Sequence, residues 1–150
     1  MRMAIELATR NVLEGRGGPF GAVIVKDGAV IASGANSVTA TNDPTAHAEM
    51  MAIRTACREL NSFELRGCEI YSSCEPCPMC LTAILWARCS ALFYAGTAAD
   101  AAVAGFDDSY FYEQVRALPE ERELPTANML REDALKSFEA WRDSAGRVDY

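Results

Sequence analysis

The chain has 150 residues, of which 50% are hydrophobic and 23% are charged, and its formal net charge is −7. This length and apolar content predict that residues 1–150 form a single domain with its own core. Most of the negative charge falls after residue 75, and Lys and Arg form no cluster. Because neutralised phosphates supply much of the affinity for RNA and DNA, we expect no nucleic-acid partner and favour a small uncharged ligand.

The amino terminus shows neither a signal peptide nor a membrane-spanning run, because Glu6 interrupts its only apolar stretch. We therefore expect a soluble cytoplasmic protein that binds no membrane. Six cysteines without an export signal indicate metal ligands and buried thiols rather than disulfides.

The first half of the chain predicts a helix, a hairpin and a second helix. The first helix covers residues 2–14, and its apolar stripe carries Ile5, Ala8 and Val12. Strands at residues 22–25 and 29–32 flank a turn that contains Asp-Gly, which is typical of a hairpin. A polar segment, residues 35–45, leads to a helix that begins at His47 and whose apolar face is Met50, Ile53, Cys57 and Leu60.

The second half predicts further alternation of strands and helices. Its predicted elements are a strand near residues 68–72, a helix over about 77–88, a strand at 91–95, a helix-prone stretch at 97–105, a solvated linker at 119–125 and a last helix over about 128–145. Apolar strands that alternate with helices are typical of a sheet covered on both faces. The pattern therefore predicts an α/β domain of three layers.

The residues that could bind a metal lie in two short motifs. The only histidine, His47, stands two residues before Glu49, and Cys77 and Cys80 follow in a Pro-Cys-Pro-Met-Cys segment. On a helix that begins at Pro76, these two cysteines would share one face. Zinc prefers nitrogen and sulfur donors, and a catalytic site has three protein ligands and one open position. We predict that His47, Cys77 and Cys80 bind one Zn²⁺.

The order of these motifs is the signature of zinc-dependent base deaminases. Water on such a zinc ion loses its proton near neutral pH, and Glu49 is the predicted general acid and base that carries this proton to the ring and to the departing ammonia. The alternative is a closed structural zinc site with Cys74 or Cys68 as fourth ligand. Because a structural site does not require Glu49, hydrolytic deamination is the favoured prediction.

The chain resembles the cytidine deaminase-like superfamily over essentially its whole length, and within it the bacterial guanine deaminases. The resemblance rests on residues 17–22, 42–49, 73–80, 104–108 and 138–142 and on the terminal Tyr150. It implies a central mixed sheet of about five strands, one Zn²⁺ per subunit, and hydrolysis of guanine to xanthine and ammonia in purine metabolism. It also implies a homodimer in which a carboxy-terminal arm, about residues 119–150, is exchanged between subunits.

The same resemblance implies a pocket for a purine base. Asn36 would bind an edge of the base, since an amide offers both a donor and an acceptor, and Asp108 would hold the base and assist proton transfer. Aromatic side chains would stack on the base or limit its size, and Tyr150 would close the pocket from across a subunit boundary. The full set implied for substrate binding is Phe20, Asn36, Ala48, Trp86, Asp108 and Tyr150.

Several of these assignments have a simpler structural alternative. Asn36 could bond to its own loop backbone, Asp108 could be a solvated turn residue, and Phe20 and Trp86 could be core residues. The zinc motifs also leave other substrates open: guanosine, cytosine, a triazine amine or, disfavoured by the acidic charge, the adenosine of a tRNA. The alternative outside enzymes is a structural zinc scaffold.

Overall fold

The computed structural model describes residues 1–150. Its elements are α1 (Arg2–Leu13), β1 (Gly21–Lys26), β2 (Ala29–Ala35), α2 (Val38–Thr41), α3 (Ala48–Glu59), β3 (Cys68–Cys74), α4 (Pro78–Trp86), β4 (Ala91–Gly96), α5 (Ala98–Val103), α6 (Ser109–Arg116), a 3-10 turn (Pro119–Glu121) and α7 (Arg131–Asp143). The chain divides into two compact units, Met1–Tyr112 and Glu113–Tyr150. None of the helices combines the length and the apolarity needed to cross a membrane.

The first unit is built on a mixed sheet with the strand order β2-β1-β3-β4. Strand β1 is antiparallel to β2 and β3, whereas β3 and β4 are parallel. The sheet has four strands, where about five were expected. After β4 the chain turns into α5, because Thr97 and Asp100 form a capping box and the alanine-rich segment behind them favours a helix.

The predicted hairpin is confirmed, and its turn explains the register of the first two strands. Asp27 and Gly28 both have positive φ, 51° and 78°, as a type I′ turn requires. This turn pairs Lys26 with Ala29.

Two glycines allow helices to pack closely on opposite faces of the sheet. Gly34 pairs with Ala22, the neighbour of Gly21, so the two glycines face opposite sides because alternate strand residues do. A Cβ atom on Gly21 would lie 2.8 Å from the backbone nitrogen of Ala8 in α1, and one on Gly34 would lie 2.6 Å from that of Ala52 in α3. Helices α1 and α3 therefore cover the two faces, which confirms the three-layer prediction.

This close approach changes which helix residues face the core. Ile5 and Val12, predicted on the buried stripe of α1, are 42% and 49% exposed. The buried residues of α1 are Ala4, Ala8 and Asn11, and those of α3 are Ala48, Glu49, Ala52, Ile53 and Ala56. The predicted face of α3 is partly confirmed, since Ile53 is buried and Cys57 and Leu60 pack against the core. The predicted stripe of α1 is displaced, because only small side chains fit between that helix and Gly21.

The start of α4 also differs from the sequence prediction. Pro76 was expected to open the helix, but Cys77 is the N-cap and Pro78 is the first helical residue. Pro78 suits that position because proline has a fixed φ and no N–H to leave unbonded. Cys80 still lies in the first turn, so both cysteines remain at the start of the helix.

The second unit contains the 3-10 turn inside the predicted linker and the last helix, α7. Helix α7 is shorter at both ends than the predicted range of about 128–145. Within this unit the backbone N–H of Glu123 donates to the side-chain oxygen of Gln114 at 2.9 Å. Helix α6, which crosses the boundary between the units, was not predicted from the sequence.

Candidate active site

Three metal-binding side chains meet where α3 and α4 begin. His47 is the N-cap of α3, Cys77 is the N-cap of α4, and Cys80 lies one turn further along α4. Nδ1 of His47 is 3.6 Å from Sγ of Cys77 and 3.5 Å from Sγ of Cys80, and the three ligand atoms lie within 4.8 Å of one another. One nitrogen and two sulfurs fit three positions of a tetrahedral zinc ion and leave the fourth for water.

The protonation of this cluster already favours one thiolate. The pKa of Cys77 is lowered to about 4, first by its hydrogen bond with Cys80 and also by its contact with His47. The hydrogen bond with Cys77 raises the pKa of His47. The pKa of Cys80 is raised, because Cys77 holds the negative charge beside it and the site is buried. Both thiols must be deprotonated to bind zinc, so loading the site should release protons.

Cys74 and Cys68, the alternatives considered for a fourth zinc ligand, make other contacts. Cys74 points its thiol at the backbone oxygen of Thr97, 3.5 Å away. Cys68 is fully buried in the hydrophobic core. The structure therefore supports an open site with three protein ligands and not a closed structural site.

Glu49 lies in the first turn of α3, two residues after His47, and is only 5% exposed. The hydroxyl of Ser72 in β3 donates a hydrogen bond of 2.7 Å to Oε1 of Glu49. The positive end of the helix dipole favours a carboxylate at this position. A buried acid therefore stands beside the candidate metal site with one oxygen held by the sheet.

A cavity of about 620 Å³ opens beside this site. It brings together His47, Cys77 and Glu49 with three residues that the sequence also predicted, Phe20, Asn36 and Asp108. The other lining residues are Gly15, Gly17, Gly18, Val38, Thr39, Glu75 and Phe106. A pocket with a few convergent polar groups and a metal site is the usual form of a small-molecule site.

One wall of the cavity is held by Asn11, a residue that the sequence analysis missed. Asn11 is 5% exposed, and its Nδ2 donates to the backbone oxygens of Asn36, at 2.8 Å, and of Gly18, at 2.9 Å. Oδ1 of Asn36 accepts only two long hydrogen bonds of 3.4 Å, from the N–H groups of Gly18 and Val38. The Asn36 backbone is thus anchored, while its side chain keeps weak partners that a ligand could replace.

An aromatic pair and an acid form another part of the lining. The rings of Phe20 and Phe106 meet edge to face, with centroids 5.0 Å apart. Burial, followed by the nearby charge of Cys77, raises the pKa of Asp108. The sequence analysis did not name Phe106 as a residue of the pocket. Flat apolar rings beside hydrogen-bonding groups suit an aromatic heterocycle.

Three predicted substrate residues are not among those that line the cavity. Trp86 is the last residue of α4, whereas the metal ligands lie at the start of that helix, and its side chain is 57% exposed. Ala48 is the first residue of α3 and is fully buried in the core. Tyr150 belongs to the second unit and is 73% exposed. Their roles in substrate binding stay predictions.

Known proteins resemble the chain in sequence, and the matched residues include the candidate zinc ligands. Residues 1–96 match the family model of the cytidine and deoxycytidylate deaminase zinc-binding region. Guanine deaminase of Bacillus subtilis (strain 168) is 53% identical over 150 residues, which are 100% of this chain and 96% of that protein. A tRNA-specific adenosine deaminase of Aquifex aeolicus is 48% identical over 88 residues, which cover 59% of this chain and 58% of that protein.

Solved structures extend the resemblance to the fold. The crystal structure of guanine deaminase from Bacillus subtilis has a TM-score of 0.97 and 54% identity, covering 99% of this chain and 95% of that chain. A guanine deaminase from Nitrosomonas europaea has a TM-score of 0.68 and 32% identity, covering 71% of this chain and 62% of that chain. The similarity to bacterial guanine deaminases expected from the sequence is confirmed. The chain belongs to the cytidine and deoxycytidylate deaminase family of zinc-binding enzymes.

Proposed function

We propose that the protein hydrolyses guanine to xanthine and ammonia and uses one zinc ion per subunit. The proposal is carried by the cavity, in which Glu49 and two of the candidate zinc ligands, His47 and Cys77, meet Asn36 and Asp108. The full-length similarity to a guanine deaminase supports the choice of substrate. We place this activity in the cytoplasm, because a reducing compartment keeps thiol ligands available for metal.

His47, Cys77 and Cys80 would hold the zinc ion. When bound, zinc lowers the pKa of a water molecule and supplies hydroxide near neutral pH. Glu49 takes a proton from the attacking water and delivers it to N3 of guanine as the water oxygen bonds to C2. It then carries the proton of the new hydroxyl group to the amino nitrogen, the C2–N bond breaks and ammonia leaves. Glu49 ends the cycle as a carboxylate, and the product is xanthine.

The cavity side chains would hold the base for this proton transfer. The amide of Asn36 can both donate to and accept from the edge of a purine. Asp108, whose pKa is raised by burial, would receive a hydrogen bond from the base and share its proton. The Phe20 and Phe106 rings would contact the faces or rim of the flat base and keep bulk water away from it.

The test is ammonia release from guanine by the zinc-loaded protein, with guanosine, cytosine, adenine and a triazine amine measured in parallel. We expect turnover of guanine and little of the others. The Glu49→Gln variant should keep its zinc and lose about 10²–10⁴-fold in kcat, as expected for loss of a general acid and base. The His47→Ala variant should lose zinc and activity together.

Two outcomes would contradict the proposal at different points. A fully active Glu49→Gln protein would refute the assignment of Glu49 as proton carrier. If guanine were inert while another amine reacted, the substrate assignment would fall and the zinc chemistry would remain. Activity on the adenosine of a tRNA would favour the relationship to the tRNA deaminases instead.

We also propose that the protein is a homodimer, that residues 1–150 form one zinc domain per subunit, and that an arm of about residues 119–150 is exchanged between subunits. Large apolar side chains of this arm are exposed, among them Met129, Leu130 and Phe138. Exposed apolar groups of this kind are typical of surfaces that contact another chain. In such a dimer the terminal Tyr150 would close the cavity of the other subunit.

Mixed dimers test this exchange directly. Glu49→Gln and Tyr150→Ala subunits would each be impaired alone, and refolding them together would create one site with both native residues. We expect light scattering to show a dimer and the mixture to recover activity above either variant. A monomer, or a mixture no more active than the Tyr150→Ala protein, would refute the exchange.

A further inference from the structure

Ser72 occupies a position in the sheet where an apolar residue would be expected. Alternate residues of β3, namely Cys68, Ile70, Ser72 and Cys74, are buried, and Cys68 and Ile70 belong to the hydrophobic core. Ser72 itself is 1% exposed. A hydroxyl buried at such a position is unfavourable unless it is hydrogen-bonded, and this one donates to Oε1 of Glu49 at 2.7 Å.

The two partners of this hydrogen bond differ in rigidity. Strand β3 is bonded on both sides, and Ser72 pairs with Ala22 of β1 and with Tyr94 of β4. Glu49 has a long side chain with several rotatable bonds on the first turn of a helix, so its backbone alone does not fix its carboxylate. The bond therefore fixes the Glu49 carboxylate against an inner strand of the sheet.

We propose that Ser72 is a positioning residue for Glu49. By holding Oε1, the Ser72 hydroxyl fixes the carboxylate plane and leaves Oε2 to take and return the proton in the cavity that Glu49 lines. This inference rests on the proposed function in one respect, the role of Glu49 as proton carrier. Proton transfer requires a donor and an acceptor held close to their reactive geometry.

The test compares Ser72→Ala with Ser72→Thr, which keeps the hydroxyl on a side chain that suits a strand. We expect Ser72→Ala to lower kcat by about 10- to 100-fold, since small misplacements of reacting groups can cost about 10²-fold. KM and zinc content should stay near their wild-type values, because Ser72 does not line the cavity and is not a metal ligand. Ser72→Thr should restore most of kcat.

Ser73→Ala is the matched control. Ser73 is the next residue of the same strand, and its hydroxyl accepts a hydrogen bond from the backbone N–H of Gly21 at 3.0 Å. It lies on the other face of the sheet, because neighbouring strand residues alternate. The control should keep the wild-type kcat even if its thermal stability falls.

Crystals of zinc-loaded Ser72→Ala protein provide a readout that does not depend on the substrate. We expect the Glu49 carboxylate to be displaced or to occupy more than one conformation. An unmoved carboxylate together with a wild-type kcat would overturn the proposal, as would equal losses of kcat in Ser72→Ala and Ser73→Ala.

Failure of the proposed function can be told apart from failure of this inference. If the wild-type protein leaves guanine unchanged, the proposed substrate is wrong, and the ratio of kcat values is then measured with whichever amine-bearing base it does turn over. The crystallographic comparison reports on Ser72 and Glu49 in either case.

Discussion

Replacing Asn11 by alanine tests whether a buried amide in α1 supports the wall of the cavity. The Asn11 side chain donates to two backbone oxygens, of Asn36 and of Gly18, and both of those residues line the cavity. Alanine removes both donors. The Gly18 oxygen keeps a second donor, the N–H of Phe20 at 2.9 Å, so the greater loss falls on Asn36.

The size of the effect follows from these two hydrogen bonds. Each contributes about 0.5–1.5 kcal/mol net, so Asn11→Ala should lower the free energy of unfolding by about 2 kcal/mol. For a chain of this length, that loss corresponds to a fall in Tm of about 4–8 °C. Because the chemical groups at Glu49 are untouched, KM for guanine should rise severalfold while kcat changes little.

The assay combines thermal unfolding with steady-state kinetics. Asn11→Asp sharpens it, because a carboxylate would face two carbonyl oxygens with no proton to donate, and the loss should exceed that of alanine. Thr9→Ala is the control on the same helix, since its exposed hydroxyl bonds only to the backbone of Ile5. Wild-type Tm and KM in Asn11→Ala would refute the reasoning.

Three further predictions concern packing, the cavity lining and acid stability. Gly34→Ala should lower the free energy of unfolding, measured by urea denaturation, by about 1–3 kcal/mol, because the added Cβ would crowd the backbone of Ala52. Phe106→Ala should raise KM for guanine severalfold with little change in kcat. Hydrogen bonds from Thr45 lower the pKa of Asp43 below its ordinary 3.8. The ionised Asp43 carboxylate therefore stabilises the fold above pH 3.8, and this contribution is lost as the pH falls through the pKa of Asp43 in the folded state. Asp43→Asn lacks this contribution, so it should lose less stability than the wild type on acidification.

Matched control variants are available for the packing and cavity predictions. Gly146→Ala should be nearly neutral, since a Cβ there meets no atom within 4 Å, and a Gly34→Ala protein of wild-type stability would contradict the packing argument. Phe93→Ala removes a ring that stacks on Tyr71 and does not line the cavity, so its KM should not change. Equal acid sensitivity of Asp43→Asn and wild type would show that the Asp43 turn contributes nothing to stability.

The metal site could be predicted because two of its ligands, Cys77 and Cys80, are three residues apart and the chain has a single histidine. Cys77 and Cys80 come within reach of one ion wherever a helix begins near them, and the single histidine left little choice of third ligand. Even the wrong starting residue of α4 did not disturb this result. Glu49 was predicted from the same motif, since it stands two positions after His47.

The helix faces were harder to predict because hydrophobicity alone does not report distance. Ile5 and Val12 are more apolar than the alanines that actually face the sheet, yet Gly21 lets α1 approach so closely that only small side chains fit. Periodicity identified the helix and misplaced its buried stripe. The signal that was available is the pairing of a glycine in each strand with alanines at helical spacing.

The amino-acid sequence by itself determined the hairpin, the main helices and strands and the kinds of zinc ligand, because each depends on local pattern or on residue type and not on contacts across the fold. Only the tertiary structure decided what surrounds that chemistry. The bond from Ser72 to Glu49 spans 23 residues and that from Asn11 to Asn36 spans 25. Such contacts depend on strand register and on how near each helix approaches the sheet, and those distances are set by packing across the whole unit.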